Sequence, residues 1–287
     1  IYTLSLHDAL PILARQNQGE VLALHVVRVP PQLTLGEGRL LLKEGRPYLE
    51  TVIQQAKKIQ VPVHTVLRLG RNVADAVRKT INENAADIVV FGWPGYTNTA
   101  GRLFGSVIDS VVDDPPADCA IVRYRAQRPI RSVLVPVGGG PNSRRAVQLA
   151  VSMAAQGEEG PAKVTLLYIL PPAAGQQGVV RAEQAFRESL VGVDYDHIEK
   201  KLAEGKDIAE TILQFARGSE TQPAIVLLVI GATNEPLFKN LLVGNISARV
   251  AQDAEVTVIV VKRRSSAFHS LLRQTVLEPT QSPKPSA

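Results

Sequence analysis

The chain has few of the residues from which several classes of protein are built. Cys119 is the only cysteine among 287 residues, so an intrachain disulfide framework is excluded and a reducing compartment is favoured. Aromatic residues make up 5% of the chain and the net charge is only +5, whereas nucleic-acid binders concentrate basic and aromatic side chains on one face. No apolar run reaches about 18 residues, so this piece of sequence predicts no membrane-spanning helix. We expect a cytoplasmic protein without a nucleic-acid partner.

The motifs by which catalytic sites are usually recognised are also missing. The sequence contains no serine elbow, no phosphate-loop lysine motif and no HExxH pair. Asp113 and Asp114 precede two prolines, which favours a helix end over paired catalytic carboxylates. We therefore expect a protein that is not an enzyme, with no catalytic residue and no metal. Structural roles are favoured for the histidines, which show no metal-ligand spacing: His25, His64, His197 and His269.

An initiator methionine is absent as well. Residues 2–12 read YTLSLHDALPI, which matches the translation of a common sequencing-adapter oligonucleotide when suitable codons are chosen. We interpret residues 1–12 as an assembly scar and exclude them from fold reasoning, as one would a tag. A genuine helix end with a chance match is the alternative. On the first interpretation the chain is a fragment whose native N-terminus is lost.

Apolar strands alternate with amphipathic helices through the remaining 275 or so residues, which predicts an α/β fold with parallel sheets and is enough for two domains. Strands are expected at 21–29, 61–68, 87–92, 119–125, 132–137, 164–170, 195–202, 224–231 and 256–261. Helices are expected at 43–59, 73–85, 103–112, 143–155, 181–192 and 208–216, with another between the last two strands. The domains comprise residues 13–126 and 130–264. Residues 265–287 predict an amphipathic helix and a disordered tail; the helix could dock on the domain, contact a membrane or do neither.

The two halves repeat each other. ADIVVFG, followed by Gly105-Ser106 and CAIVRYR, matches AIVLLVIG, followed by Gly244-Asn245 and VTVIVVKRR. The second half opens with a strand and a helix over residues 132–155, whereas the first half begins at the end of such a helix, around LARQNQGE. The first domain is therefore expected to lack its opening strand.

The most specific motif is the pair of glycines after the strand DIVVF, followed by Gly105 and Ser106. Glycine permits positive φ and close approach of the backbone to a ligand. A helix that begins at Ser106 presents unpaired N–H groups to the same place, which lies at the carboxyl end of the strands. The pattern therefore suits an anionic group such as phosphate. A strand exit and helix cap without any ligand is the alternative.

The spacing Gly92-x-x-Gly95, nine residues, then Gly105-Ser106 resembles the signature of the universal stress protein family, and the resemblance covers residues 13–264 twice over. It implies two tandem, Rossmann-like domains with parallel five-stranded sheets, of which nucleotide-binding members hold ATP. It also implies cofactor-binding roles for Gly92, Gly95, Gly105 and Ser106, with Val26 on the adenine side. Arg102, within the motif, could reach a γ-phosphate or remain a solvated surface residue.

The second copy departs from this pattern. Gly138 stands where the ATP-binding members carry an aspartate, Asn234 replaces the second glycine, and Asn245 replaces the serine or threonine. Each change removes a ligand contact or places a side chain where the backbone should approach, and a lost hydrogen bond costs about 1–3 kcal/mol. We therefore expect ATP or a related adenine nucleotide in the first domain only, and a structural role for the second.

The resemblance also bears on partners. The closing strands CAIVRYR and VTVIVV are similar to those that pair antiparallel in dimers of the family, which predicts an intramolecular pseudo-dimer and leaves a homodimer open. Phrases such as GWPGYTNTAGRLFGSVID and PVGGGPNSR look like those of cytosolic C-terminal stress domains attached to bacterial amino acid permeases. We expect a non-catalytic regulatory module on the cytosolic side of the inner membrane, preceded in the same chain by a transporter domain. A free-standing soluble stress-response protein and a weak ATPase are the alternatives.

Overall fold

The computed structural model describes residues 14, 19–34, 36–58, 60–97, 102–125, 129–155, 160–218, 225–232 and 246–264. The strands in these residues are β1 (Val21–Arg28), β2 (Val63–Gly70), β3 (Ile88–Gly92), β4 (Asp118–Arg123), β5 (Ser132–Pro136), β6 (Lys163–Leu170), β7 (Ile198–Glu204), β8 (Leu227–Gly231) and β9 (Thr257–Lys262). The α-helices are α1 (Leu42–Lys58), α2 (Val73–Glu83), α3 (Ser106–Asp113), α4 (Gly140–Ala154), α5 (Gly175–Ser189), α6 (Ile208–Arg217) and α7 (Ile246–Asp253), and a 3₁₀-helix covers Glu37–Leu41. This alternation confirms the predicted α/β class.

Most strands belong to one sheet that runs through both domains. Its order is β3-β4-β9-β8-β5-β6-β7, and its neighbours are parallel except for β4 and β9. These two strands close the two domains and pair antiparallel, with Ile121 opposite Val260 at the centre of the register. The pairing predicted for CAIVRYR and VTVIVV is therefore present. It turns two sheets into one and removes an edge from each domain.

The two domains differ in their opening strand. In the second domain, β5 lies between β6 and β8. In the first domain, β1 pairs only with β2, in a separate two-stranded sheet, and no described strand lies between β1 and β3. The described part of the first domain thus contains four strands. None of them occupies the position that β5 has in the second domain. Residues 1–12 lie outside the described residues, so their origin as a scar stays a prediction.

Helix starts follow local capping chemistry that repeats between the domains. The side chain of Asn72 accepts hydrogen bonds from the amides of Ala74 and Asp75 at the start of α2. Asp207 does the same for the amide of Glu210 at the start of α6, the matching helix. Caps of this kind satisfy amides that have no partner within the helix. The two helices therefore begin at equivalent points of the repeat.

Three helices begin three or more residues from their predicted starts. The helix predicted over 103–112 starts at Ser106, the one predicted over 143–155 starts at Gly140, and the one predicted over 181–192 starts at Gly175. In the last case a β-carbon on Gly178 would lie 3.0 Å from Cδ2 of Leu170 at the end of β6. The glycine allows α5 to approach this strand closely and does not interrupt the helix. Among the described helices, none has the length and apolar character needed to cross a bilayer.

Candidate functional site

The motif loop, residues 92–106, joins β3 to α3 at the carboxyl end of the parallel strands. Its described parts are 92–97 and 102–106. Gly105 has φ of 101° and is the N-cap of α3, without a side-chain hydrogen bond to the cap. A β-carbon at Gly105 would lie 3.6 Å from Oγ1 of Thr97, so the two ends of the loop lie side by side. The structure therefore brings Gly105 and Ser106 close to the segment that contains Gly95.

A carboxylate that the sequence analysis did not identify supports this loop from inside. Asp109 is fully buried, and its two oxygens accept hydrogen bonds from the amides of Leu103 and Phe104, each at 3.0 Å. These bonds hold residues 103–104 in a turn, so that α3 begins only at Ser106. A carboxylate within the otherwise apolar first turn VID was the available signal. Burial raises the pKa of Asp109, although the two amides act in the opposite direction.

A second missed residue, Arg123, lies beneath the loop. It is 5% exposed, and its guanidinium donates to the backbone carbonyls of Ala251 and Gln252 at the end of α7 in the other domain. Its charged group also lies 5.9 Å from the centre of the Trp93 ring. Gly95 has φ of 93°, and a β-carbon there would lie 2.5 Å from Nε of Arg123. A charged residue in the apolar strand CAIVR was the signal for such a role.

The first residue of α3 has hydrogen-bond donors that the described residues do not use. Ser106 is exposed, and among the described residues none accepts a hydrogen bond from its amide. Leu103 and Phe104 differ, because Asp109 already accepts from their amides. An unpaired amide and a hydroxyl at a helix N-terminus favour an anion. The local geometry therefore leaves donors at Ser106 available.

The remaining predicted site residues lie at two places. Gly92 ends β3, where it pairs with Val122 of β4. Val26 is 6% exposed in β1 and belongs to the core cluster that also contains Trp93 and Leu103. Since β1 and β3 lie in different sheets, no backbone pairing connects Val26 to the motif loop in the described part of the chain. Roles for these residues in ligand binding stay predictions.

The corresponding edge of the second domain is organised differently. Gly139 and Gly140 have φ of 84° and 81°, and the amide of Gly140 donates to Oε2 of Glu188 at 3.2 Å. The amide of Gly138 donates to the hydroxyl of Ser143. A cavity of about 250 Å³ lies beside these glycines, and many of its lining side chains are aliphatic: Leu167, Ile169, Ile208, Ile212, Ile230 and Ile246. Two amides at this edge thus have protein partners, while Asn234 and Asn245 lie outside the described residues.

The other candidate residues that the structure describes have structural surroundings, while His269 lies outside the described residues. Cys119 is fully buried, and burial raises the pKa of its thiol to about 12. His64 pairs with Glu20 at 2.9 Å on the surface. Helix α3 ends at Asp113, before the two prolines, as predicted. Within the described ranges no group of three or more histidine, cysteine or acidic side chains is placed to hold a metal.

Comparisons with known proteins follow the same division into two repeats. The model of the universal stress protein family matches residues 5–123 and 129–262. The chain is 30% identical over 189 residues to the Na(+)/H(+) antiporter NhaS5 of Synechocystis sp., a match that covers 62% of this chain and 25% of the antiporter. The chain therefore spans about a quarter of the length of this relative.

Solved structures with the same fold match nearly the whole chain. A universal stress protein from Archaeoglobus fulgidus has a TM-score of 0.64 at 14% identity, covering 92% of this chain and 95% of that one. The cytoplasmic domain of a prokaryotic cation chloride cotransporter has a TM-score of 0.51 at 10% identity, covering 84% of this chain and 95% of that one. With the family match to both repeats, these findings lead to one conclusion: the chain belongs to the universal stress protein family, as two tandem domains.

Proposed function

We propose that this chain is a non-catalytic regulatory module whose first domain binds ATP or a related adenine nucleotide through the motif loop. The observation that carries the proposal is the exposed N-terminus of α3, where Gly105 has no side chain and no described group accepts from the amide of Ser106. A phosphate oxygen could accept from this amide and from the Ser106 hydroxyl. The partial positive charge at the helix N-terminus adds to this attraction.

Calorimetric titration of the chain with ATP tests the binding. Removal of one hydrogen bond to a charged group costs about 1.5–3 kcal/mol, so Ser106→Ala should weaken ATP binding about 10- to 100-fold. The matched control is Ser143→Ala, which makes the same change at the corresponding edge of the second domain and should leave ATP affinity unchanged. An absence of heat at millimolar ATP, or equal losses in the two variants, would contradict the proposal.

The non-catalytic part of the proposal is supported by the roles of the nearby polar side chains. Asp109 is the carboxylate closest in sequence to Ser106, and both of its oxygens accept from backbone amides. It is therefore poorly placed to act as a base toward the Ser106 hydroxyl. A nucleotide turnover assay is the test. Hydrolysis that disappears in Ser106→Ala would establish an ATPase and overturn this part of the proposal.

We further propose that the module is the cytosolic regulatory part of a membrane transporter. Two observations favour this. The aligned segment covers only 25% of the matched antiporter, and the same fold occurs as the cytoplasmic domain of a cation chloride cotransporter. Sequence phrases resemble stress domains of amino acid permeases, whereas these two proteins are named for ion transport, so the proposal is kept to a transporter. Reading the gene upstream is the test: about a dozen apolar helices in frame would support the proposal, whereas a start codon shortly upstream of the first domain would leave a free-standing stress protein.

A further inference from the structure

A second cavity lies where α4 meets the junction of β4 and β9. Its volume is about 360 Å³, near the lower end of the range for small-molecule sites. We call it the basic cavity, after the charged residues in its lining: Asp87, Asp118, Arg144, Arg145, Arg263 and Arg264. Residues of both domains form it, so it exists only because the domains are joined.

Backbone and side-chain contacts fix the frame of this cavity. One carboxylate oxygen of Asp118 accepts from the amide of Arg264 at 2.9 Å, and the other lies 2.6 Å from Nε of Arg145 as an ion pair. The amide of Arg263 donates to Oδ1 of Asn142 at 2.9 Å. The main chain of Arg263 and Arg264 is therefore held at the mouth of the cavity, against α4.

The charges in the lining do not balance. Four guanidinium groups face two carboxylates, which leaves an excess of two positive charges. Asp118 pairs with Arg145, and Arg144 donates to the backbone carbonyl of Glu188 at 3.0 Å. Among the described residues, none is paired with the guanidinium groups of Arg263 and Arg264, both of which are exposed. The excess charge is thus concentrated on two neighbouring arginines at a concave surface, where an anion is attracted most strongly.

The internal repeat shows that this cavity is not a general consequence of the strand pairing. The amide of Arg125 donates to Oγ1 of Thr257 at 3.2 Å, which is the counterpart of the bond from Arg264 to Asp118. On that side, however, threonine replaces the aspartate. The carboxylate that pairs with Arg145 therefore belongs to the side of the junction that contains Asp118.

We propose that the basic cavity binds a small ligand that carries more than one phosphate charge. Guanidinium groups present planar, paired donors that match phosphate oxygens and stay charged at any physiological pH. A cavity of this volume accommodates a pyrophosphate group, and its concave shape suits a discrete ligand better than a flat surface. The proposal is independent of nucleotide binding at the motif loop, because the two places share no residue.

Calorimetric titration of the full chain with inorganic pyrophosphate, at two salt concentrations, is the primary test. The double variant Arg263→Gln/Arg264→Gln should lose at least 10-fold in affinity, with an unchanged melting temperature because both side chains are exposed. The matched control is Arg181→Gln/Arg187→Gln, which removes the same charge from the exposed face of α5 and should bind like the wild type. To separate this cavity from any phosphate binding at the motif loop, the titration is repeated in the Ser106→Ala background, where the Arg263→Gln/Arg264→Gln change should still cost at least 10-fold in affinity.

Three results would overturn the proposal: no binding at millimolar pyrophosphate, equal losses in both double variants, or a loss confined to Ser106→Ala. A second arm distinguishes the source of the phosphate. Co-sedimentation with vesicles that contain phosphatidic acid, lost in the Arg263→Gln/Arg264→Gln variant, would assign the phosphate to a lipid headgroup. Pyrophosphate binding without co-sedimentation would assign it to a soluble molecule.

Discussion

Asp109 determines where the motif loop ends and where α3 begins. Its carboxylate is buried and accepts from two consecutive amides, so the shape of residues 103–105 depends on one side chain. Burial raises its pKa above the ordinary value of 3.8. The folded state then holds the proton more tightly than the unfolded state. The resulting stabilisation is present in full below pH 3.8 and is lost as the pH rises through the folded-state pKa.

Asp109→Asn tests this linkage. The amide offers one acceptor to two donors, so we expect the variant to be less stable by about 1–3 kcal/mol near pH 4. The variant cannot ionise, and the difference in unfolding free energy should therefore shrink as the pH rises toward neutral. Urea unfolding of both proteins across this range measures it. A difference that stays constant, or that widens with pH, would show that burial does not dominate the pKa.

Gly95 provides a separate test of how tightly the loop packs on Arg123. Gly95→Ala requires a positive φ in a residue with a β-carbon and displaces a buried guanidinium, so we expect a loss of about 2–4 kcal/mol. Gly138→Ala is the matched control, because a β-carbon there would have no atom within 4 Å and its φ is not in the left-handed region. Thermal or urea unfolding of both variants is the measurement. Equal stability of the two would mean that Arg123 moves aside at little cost.

Among single residues, those that set the backbone of the motif loop could be predicted from the sequence. The buried charged side chains that hold the loop in place could not. Gly105 and Ser106 could be assigned to a helix start because glycine and serine have local reasons to be there. Asp109 and Arg123 could not, because their partners become neighbours only through the fold: the carbonyls that Arg123 binds belong to residues 251 and 252. Tertiary partners of buried charges leave little local trace in a single sequence.

Among the elements, β4 and α7 are linked across the two domains by Arg123. Its donors satisfy carbonyls at the C-terminal end of α7, where helices leave such groups unpaired. Arg123→Met keeps most of the apolar stem and removes these donors, so we expect a loss of about 1–3 kcal/mol. Arg125→Met, two residues along and exposed, should change stability by less than about 0.5 kcal/mol. Denaturant titration compares them, and similar losses would rule out a specific bond between β4 and α7.

The order and approximate bounds of the elements could be predicted because the apolar periodicity is strong in both repeats. The starts of α3 and α5 could not. Before α3, Asp109 accepts from the amides of residues 103 and 104, so these residues form a turn and the helix begins later. In α5, Gly175 and Gly178 are residues that usually interrupt helices, although Gly178 allows close packing on Leu170. In both cases a contact with another element overrides the local preference.

For the molecule as a whole, the two domains should differ in local stability. Within the described residues, β1 and β2 form a sheet of two strands, which is marginal alone, whereas their counterparts β6 and β7 belong to a sheet of seven. We expect amides in β1 and β2 to exchange with deuterium faster than those in β6 and β7, since their local opening costs less free energy. Hydrogen exchange resolved by peptide is the measurement. Equal protection would indicate that a segment outside the described residues pairs with β1.

The shared sheet makes the polypeptide link between the domains dispensable for their association. Five residues of β4 pair with five of β9, and Arg123 adds a buried contact, whereas the covalent connection passes through a few residues between Arg125 and Pro129. A protease that cuts this connection would leave two halves that still migrate together. A conformational change in one half would accordingly be transmitted to the other through the paired strands β4 and β9.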